Sequence, residues 1–189
     1  EIGVASTKAF TCQLTALLAL ALHAGHARGM ITGQYLERVL DGVSQLPGLV
    51  REVLLRENEI KEIAGSVADA STVLYIGRGT SFPLALEGAL KLKEISYIHA
   101  EGMAAGELKQ GSIALVGAEV PGVALLPSDE LLEKTVSNIQ EVAARGGRII
   151  LIGDEAGTKS VGVDAMQFVM PAVDPELALP AIAHRARDI

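Results

Sequence analysis

Of 189 residues, 49% are apolar, only 3% are aromatic and none is Trp, so any core must be built from Leu, Ile, Val and Ala. That length holds one ordinary domain, or one domain and part of another. A net charge of -7 without any basic cluster argues against nucleic acid, whose phosphates require Lys and Arg. The single cysteine, Cys12, allows no internal disulfide and no CxxC metal pattern, which fits a reducing cytoplasm.

Ser6 and Thr7 are N-cap residue types ahead of a long apolar stretch, and predict a helix from about Thr7 to Ala27, closed by Gly29. Its apolar run, Leu14 to Leu22 interrupted by Thr15, falls short of the roughly 20 residues that span a bilayer. It reads as a buried helix, and no membrane segment is expected. Glu1 is acidic and the start is not basic, so no signal peptide is expected. A second amphipathic helix is predicted from about Gly33 to Gln45. Pro47-Gly48 is read as a break, and a third helix as Leu49 to Ser66.

The rhythm then changes. Thr72–Ile76, Gly122–Leu126, Arg148–Ile152 and Gln167–Met170 are short apolar runs, read as strands. Between them lie a helix from Phe82 to about Tyr97 and another capped by Ser128 or Asp129 and reaching Arg145. This alternation predicts βαβ crossovers, a mostly parallel sheet and helices on both faces. The continuous apolar character of the strands agrees, since such a sheet is buried on both sides. Residues 1–46 are expected to be helices without strands of their own, the tail of a preceding α/β unit. The α/β unit proper is expected over 47–189.

Gly77-Arg78-Gly79-Thr80-Ser81 links a strand to a helix, where doubly wound sheets bind ligands. It reads either as a phosphate-contacting loop or as a tight turn. In the next helix, Glu87, Lys91 and Glu94 are spaced i, i+4, i+7 and share one stripe. Because buried charges are costly, the stripe is expected to face water, a partner or a cleft. It reads either as a surface ion pair or as a carboxylate–ammonium cluster for proton transfer beside a carbonyl substrate. His99 to Gly111 reads as a loop, with His99 structural.

Three stretches carry a resemblance. They are Glu1–Phe10, Leu86–Tyr97 (LEGALKLKEISY), and His99-Ala-Glu with Ala105-Gly-Glu-Leu-Lys109. The segment 131–147, with Ser137-Asn138-Ile139 and Ala144–Gly147, is similar as well. Together they resemble the isomerase half of the glutamine:fructose-6-phosphate aminotransferase (glucosamine-6-phosphate synthase) family, to about residue 170. The resemblance implies two flavodoxin-like sugar-isomerase (SIS) subdomains, of which this chain holds the end of the first and most of the second. It implies that Glu94 moves a proton between sugar carbons C1 and C2 and that Lys91 accompanies it. Glu87 of the same stripe is taken as a substrate-binding candidate. Val4 and Ser6 of the EIGVAS segment are implied to line the sugar site. The activity implied is aldose–ketose isomerisation of a sugar phosphate after ammonia addition, serving amino-sugar synthesis. A homodimer is implied, and neither metal nor organic cofactor.

The chain also departs from that family. Gln110 stands at the family's histidine position, and glutamine exchanges no proton near neutral pH. Ser112 stands where the family has proline. The first subdomain's Ser/Thr-rich phosphate loops, the N-terminal nucleophilic cysteine and the C-terminal lysine find no match, and Leu177 to Ile189 is unlike the family. A related sugar-phosphate deaminase or deglycase, or a non-catalytic sugar-phosphate-binding module, is the alternative expectation.

Overall fold

The structure, a computed structural model, describes residues 8–171 and residue 173. Five strands form one sheet: β1 (Thr72–Gly77), β2 (His99–Ala104), β3 (Gly122–Leu126), β4 (Ile149–Gly153) and β5 (Met166–Val169). Their order is β2-β1-β3-β4-β5, and every neighbouring pair is parallel. This is the flavodoxin-like order, with its switch point between β1 and β3. The expected fold class holds.

Alternation along the strands divides the core in two. Val73, Tyr75, Val123, Leu125, Ile150, Ile152 and Phe168 point to one face. Leu74, Ile76, Ala124, Leu126, Ile149 and Leu151 point to the other. The first face is covered by α3 (Glu57–Val67) and α4 (Ser81–Ser96), through Ile60, Ile63, Val67, Leu84, Ala85, Ala89 and Leu92. The second is covered by α5 (Leu132–Ala144), through Val136, Ile139 and Val142, and by a 3-10 helix over Ala105–Gln110, through Ala105 and Leu108. A short α6 (Glu155–Ser160) follows β4.

β2 corrects the sequence reading of His99–Gly111 as a loop. The segment has no β-branched residue, but it pairs with β1 over the whole length from Thr72↔His99 to Gly77↔Ala104. Gly102 makes this possible. A Cβ there would lie 2.6 Å from the Cα of Leu86, so only glycine lets α4 sit this close to the strand.

The N-terminal helices also differ from expectation. α2 spans Gly33–Leu54 and carries Pro47 inside it, so Pro47 does not end the helix. A helix-interior proline costs about 3 kcal/mol, and packing at both ends of α2 opposes that cost. Tyr35, Leu36, Val39 and Val43 pack with Leu18 and Leu22 of α1 (Lys8–Ala27), while Leu46 and Val53 join the sheet-face core. The break falls instead at Leu55–Arg56, where the backbone tightens through Arg56 N–H to the Val53 carbonyl (3.1 Å) and Glu59 N–H to the Arg56 carbonyl (3.1 Å). The Arg56 guanidinium turns to β5. It lies 4.2 Å from the Phe168 ring centre, donates to the Val169 carbonyl and pairs with Glu59.

α1 is not the buried helix that its composition suggested. Leu22 alone in it is buried, while Leu17 and Leu20 are 62% and 63% exposed. Phe10 and Leu14 touch the sheet-face core. By length and composition α1 is also able to cross a membrane, at 20 residues.

Candidate functional site

The turn after β1 is built by close approach. A Cβ on Gly77 would lie 2.3 Å from the Ser81 carbonyl oxygen. Gly79 sits at φ +55°, a region costly for other residues. The first amides of α4 are already used: Ser81 N–H donates to the Arg78 carbonyl (3.0 Å) and Phe82 N–H to the Gly79 carbonyl (3.2 Å). Pro83 has no N–H. Thr80 makes no side-chain cap. Arg78 reaches across to α5, where its Nη1 donates to Asn138 Oδ1 at 3.0 Å. A helix N-terminus binds anions through free amides, and those of Ser81 and Phe82 are spent. The geometry is that of a tight turn.

α4 then runs from the carboxyl edge of the sheet toward its amino edge. Ser81, Leu84, Ala85, Gly88, Ala89 and Leu92 form its buried face. Glu87, Lys91 and Glu94 lie together on its flank, as their spacing required. The burial of Lys91 was not legible: its side chain is only 6% exposed, against 16% for Glu87 and 25% for Glu94. Lys91 Nζ lies 2.7 Å from Glu94 Oε2 and 3.6 Å from Glu87 Oε1. The stripe therefore does not simply face outward. Its ammonium is inside and its two carboxylates reach the surface. A buried ammonium is tolerated only with close anionic partners, and here it has two. The cluster pairs a partly open carboxylate with a fixed positive charge, which suits proton transfer next to a carbonyl.

Gln110 is not brought to this cluster. It ends the 3-10 helix whose Leu108 packs on the opposite face of the sheet, and it is itself exposed. Beside it Lys109 Nζ lies 2.8 Å from Glu141 Oε1, at a concavity of about 490 Å³ lined also by Ile113, Ala144 and Arg145. Val4 and Ser6 lie outside the described residues. His99 is exposed on the edge strand. Among the described residues, no group of three or more His, Cys, Asp or Glu side chains is placed to hold a metal ion.

One polar junction was missed in the sequence. Ser128 does not cap α5. Its N–H and its Oγ donate to the two carboxylate oxygens of Asp154, at 2.7 and 2.5 Å, and Gly157 N–H donates to Asp154 Oδ1 at 2.8 Å. Asp154 thus caps α6 and ties it to the end of β3. Burial works to raise its pKa, but the hydrogen bonds from Ser128 and Gly157 outweigh it and hold the carboxyl below its ordinary value. The Asp-x-x-Gly spacing ahead of a short polar helix was the available signal.

Comparison with known proteins follows the same outline. The SIS domain profile matches residues 66–181. The chain is 54% identical over 182 residues to glutamine–fructose-6-phosphate aminotransferase (isomerizing) of Brucella abortus biovar 1 (strain 9-941), covering 96% of this chain and 30% of that protein. It is 56% identical over 172 residues to the protein of the same name from Bradyrhizobium diazoefficiens, covering 90% of this chain and 28% of that one. The C-terminal domain of glucosamine-fructose-6-phosphate aminotransferase from Francisella tularensis superposes with a TM-score of 0.93 at 42% identity, over 100% of this chain and 54% of that one. The chain therefore spans about 30% of the length of such curated relatives. With the matched profile over most of its α/β unit, the chain belongs to the SIS domain family.

Proposed function

We propose that this chain is the end of the first and most of the second SIS subdomain of an isomerising glutamine:fructose-6-phosphate aminotransferase, and that its site acts on a sugar phosphate. The observation that carries this reading is the buried Lys91 between Glu87 and Glu94, on a helix whose sequence resembles the family's site motif. Glu94 takes a proton from the substrate carbon next to the carbonyl or imine carbon. The C–H electron pair stays with the substrate as an enediol or enamine, and Glu94 then returns the proton to the neighbouring carbon. Lys91 accompanies Glu94 and holds its carboxylate in place. Val4 and Ser6 line the sugar, and Glu87 borders it. The protein works in the cytoplasm, as a homodimer that pairs through its isomerase half, with no metal or organic cofactor.

The test is conversion of fructose-6-phosphate to glucose-6-phosphate by the purified chain, with circular dichroism to confirm folding. Turnover that Glu94→Gln lowers by about 100-fold or more supports the reading. Turnover unchanged by Glu94→Gln overturns it.

Gln110 favours a second reading. It replaces the family's proton-exchanging histidine with a group that does not titrate. A chain that binds fructose-6-phosphate without turning it over would be a sugar-phosphate-binding module. Release of ammonia from glucosamine-6-phosphate would instead identify a deaminase.

A further inference from the structure

We infer that Glu87 is a positioning residue, a standby carboxylate that keeps Lys91 paired while Glu94 holds a proton. This rests on the assignment of Glu94 as the base.

The same chain shows what an ordinary helical ion pair looks like. Lys61–Glu57 has side chains 68% and 71% exposed, and in Lys159–Glu155 both are 71% exposed. Water solvates either member of such pairs if the other is neutralised, so they matter little. Lys91 has no such recourse at 6% exposure. An isolated ammonium at that depth is costly, and breaking a buried pair leaves that charge uncompensated.

A base that cycles creates this problem at every turnover. When Glu94 accepts a proton, its carboxylate becomes a neutral carboxyl, and the 2.7 Å contact with Lys91 is no longer between opposite charges. Glu87 is one helical turn back on the same flank, with Oε1 3.6 Å from Lys91 Nζ. A small side-chain movement brings that oxygen within hydrogen-bond range. No proton moves on Glu87. Its charge holds the ammonium in place until Glu94 gives up its proton and resumes the pair. The order of the motif follows: a carboxylate four residues before the lysine and another three after it place the ammonium between two anions, only one of which needs to react.

The test is a double-mutant cycle on the full chain, read by thermal unfolding. Glu87→Gln and Glu94→Gln each leave Lys91 with one carboxylate, and each single change is expected to lower Tm modestly. The double variant leaves the ammonium with none, and its loss should exceed the sum of the single losses by at least about 5 °C. The excess should vanish when Lys91→Met is added. A double variant that does not fold, beside a triple variant that does, shows the same coupling. Additive losses overturn the inference.

Two further readouts separate positioning from simple stability. In Glu94→Gln, which mimics the protonated base, the Lys91 15Nζ resonance should persist, and in the double variant it should shift or disappear. In the isomerase assay, Glu87→Gln should lower kcat about tenfold with a smaller change in KM, and Glu87→Asp should restore most of the loss in kcat. An unchanged kcat in Glu87→Gln overturns the inference even if the pair is coupled. Absence of turnover in the unsubstituted chain counts against the proposed activity, while the cycle and the resonance still decide whether Glu87 is the standby anion.

Discussion

The guanidinium of Arg56 lies over the ring of Phe168, 4.2 Å from its centre, and so fastens the start of α3 to the outermost strand of the sheet. The same group pairs with Glu59 and donates to the Val169 carbonyl. Arg56→Gln removes the cation–π contact and the charge-assisted bonds. It should cost about 1–2 kcal/mol and lower hydrogen-exchange protection in Met166–Val169 more than in β3. Equal loss of protection in both strands would show that Arg56 is not a local clamp.

Tyr75 is fully buried in the central part of the sheet, and its hydroxyl has no hydrogen-bond partner among the described residues. Burial pushes the phenol above its ordinary pKa. An unpaired buried hydroxyl costs free energy that its removal recovers. Tyr75→Phe should therefore leave stability unchanged or raise it by about 1 kcal/mol, measured as the urea midpoint. A loss of that size would mean that the hydroxyl finds an acceptor.

Asp154 joins β3 to α6 through Ser128 and Gly157. Asp154→Ala should cost about 1 kcal/mol at neutral pH, as for other lost N-caps. The sign of the pH dependence follows from the lowered pKa. The stabilisation is present above the ordinary carboxyl value of 3.8 and is lost as pH falls through the lower folded value. The deficit of Asp154→Ala should be full at pH 7 and shrink below about pH 4. Denaturation midpoints at pH 7, 5 and 3 check this, and a deficit independent of pH would assign the effect to helix capping by shape alone.

The outward face of α1 presents Leu17 and Leu20 at more than half exposure. Apolar faces of this kind drive association, more than the net charge of -7 suggests. In sedimentation velocity the chain should self-associate, and Leu17→Gln with Leu20→Gln should reduce association without a change in stability beyond about 0.5 kcal/mol. A monomer at high concentration before any substitution would contradict this.

Four of the five strands were legible: Thr72–Gly77, Gly122–Leu126 and Ile149–Gly153 are continuous apolar runs, the signature of a sheet buried on both faces, and Met166–Val169 was read one residue late as Gln167–Met170. β2 was hidden because His99–Ala104 owes its conformation to pairing with β1 and to Gly102, neither of which is a local preference. α2 was cut short in the reading because proline is a strong local signal, and packing with α1 and the sheet overrode it. For the site, the period of the helix put Glu87, Lys91 and Glu94 on one stripe. How deep Lys91 lies depends on what packs around α4, which spacing does not encode. The Ser128–Asp154 junction joins residues 26 apart, beyond the reach of a local cap rule.

Because α2 is continuous from Gly33 to Leu54, the division that the sequence suggests at residues 46 and 47 falls inside a helix. Shortened at Pro47, the chain would start with half a helix and lose the Leu46 contact, leaving Val53 to seat a frayed end. Shortened at Arg56, it would start at a natural joint, with the clamp on Phe168 intact. The same helix joins two packing sites: Val39 seats α2 against α1, and Val53, on the same continuous element, belongs to the sheet-face core that holds Tyr75.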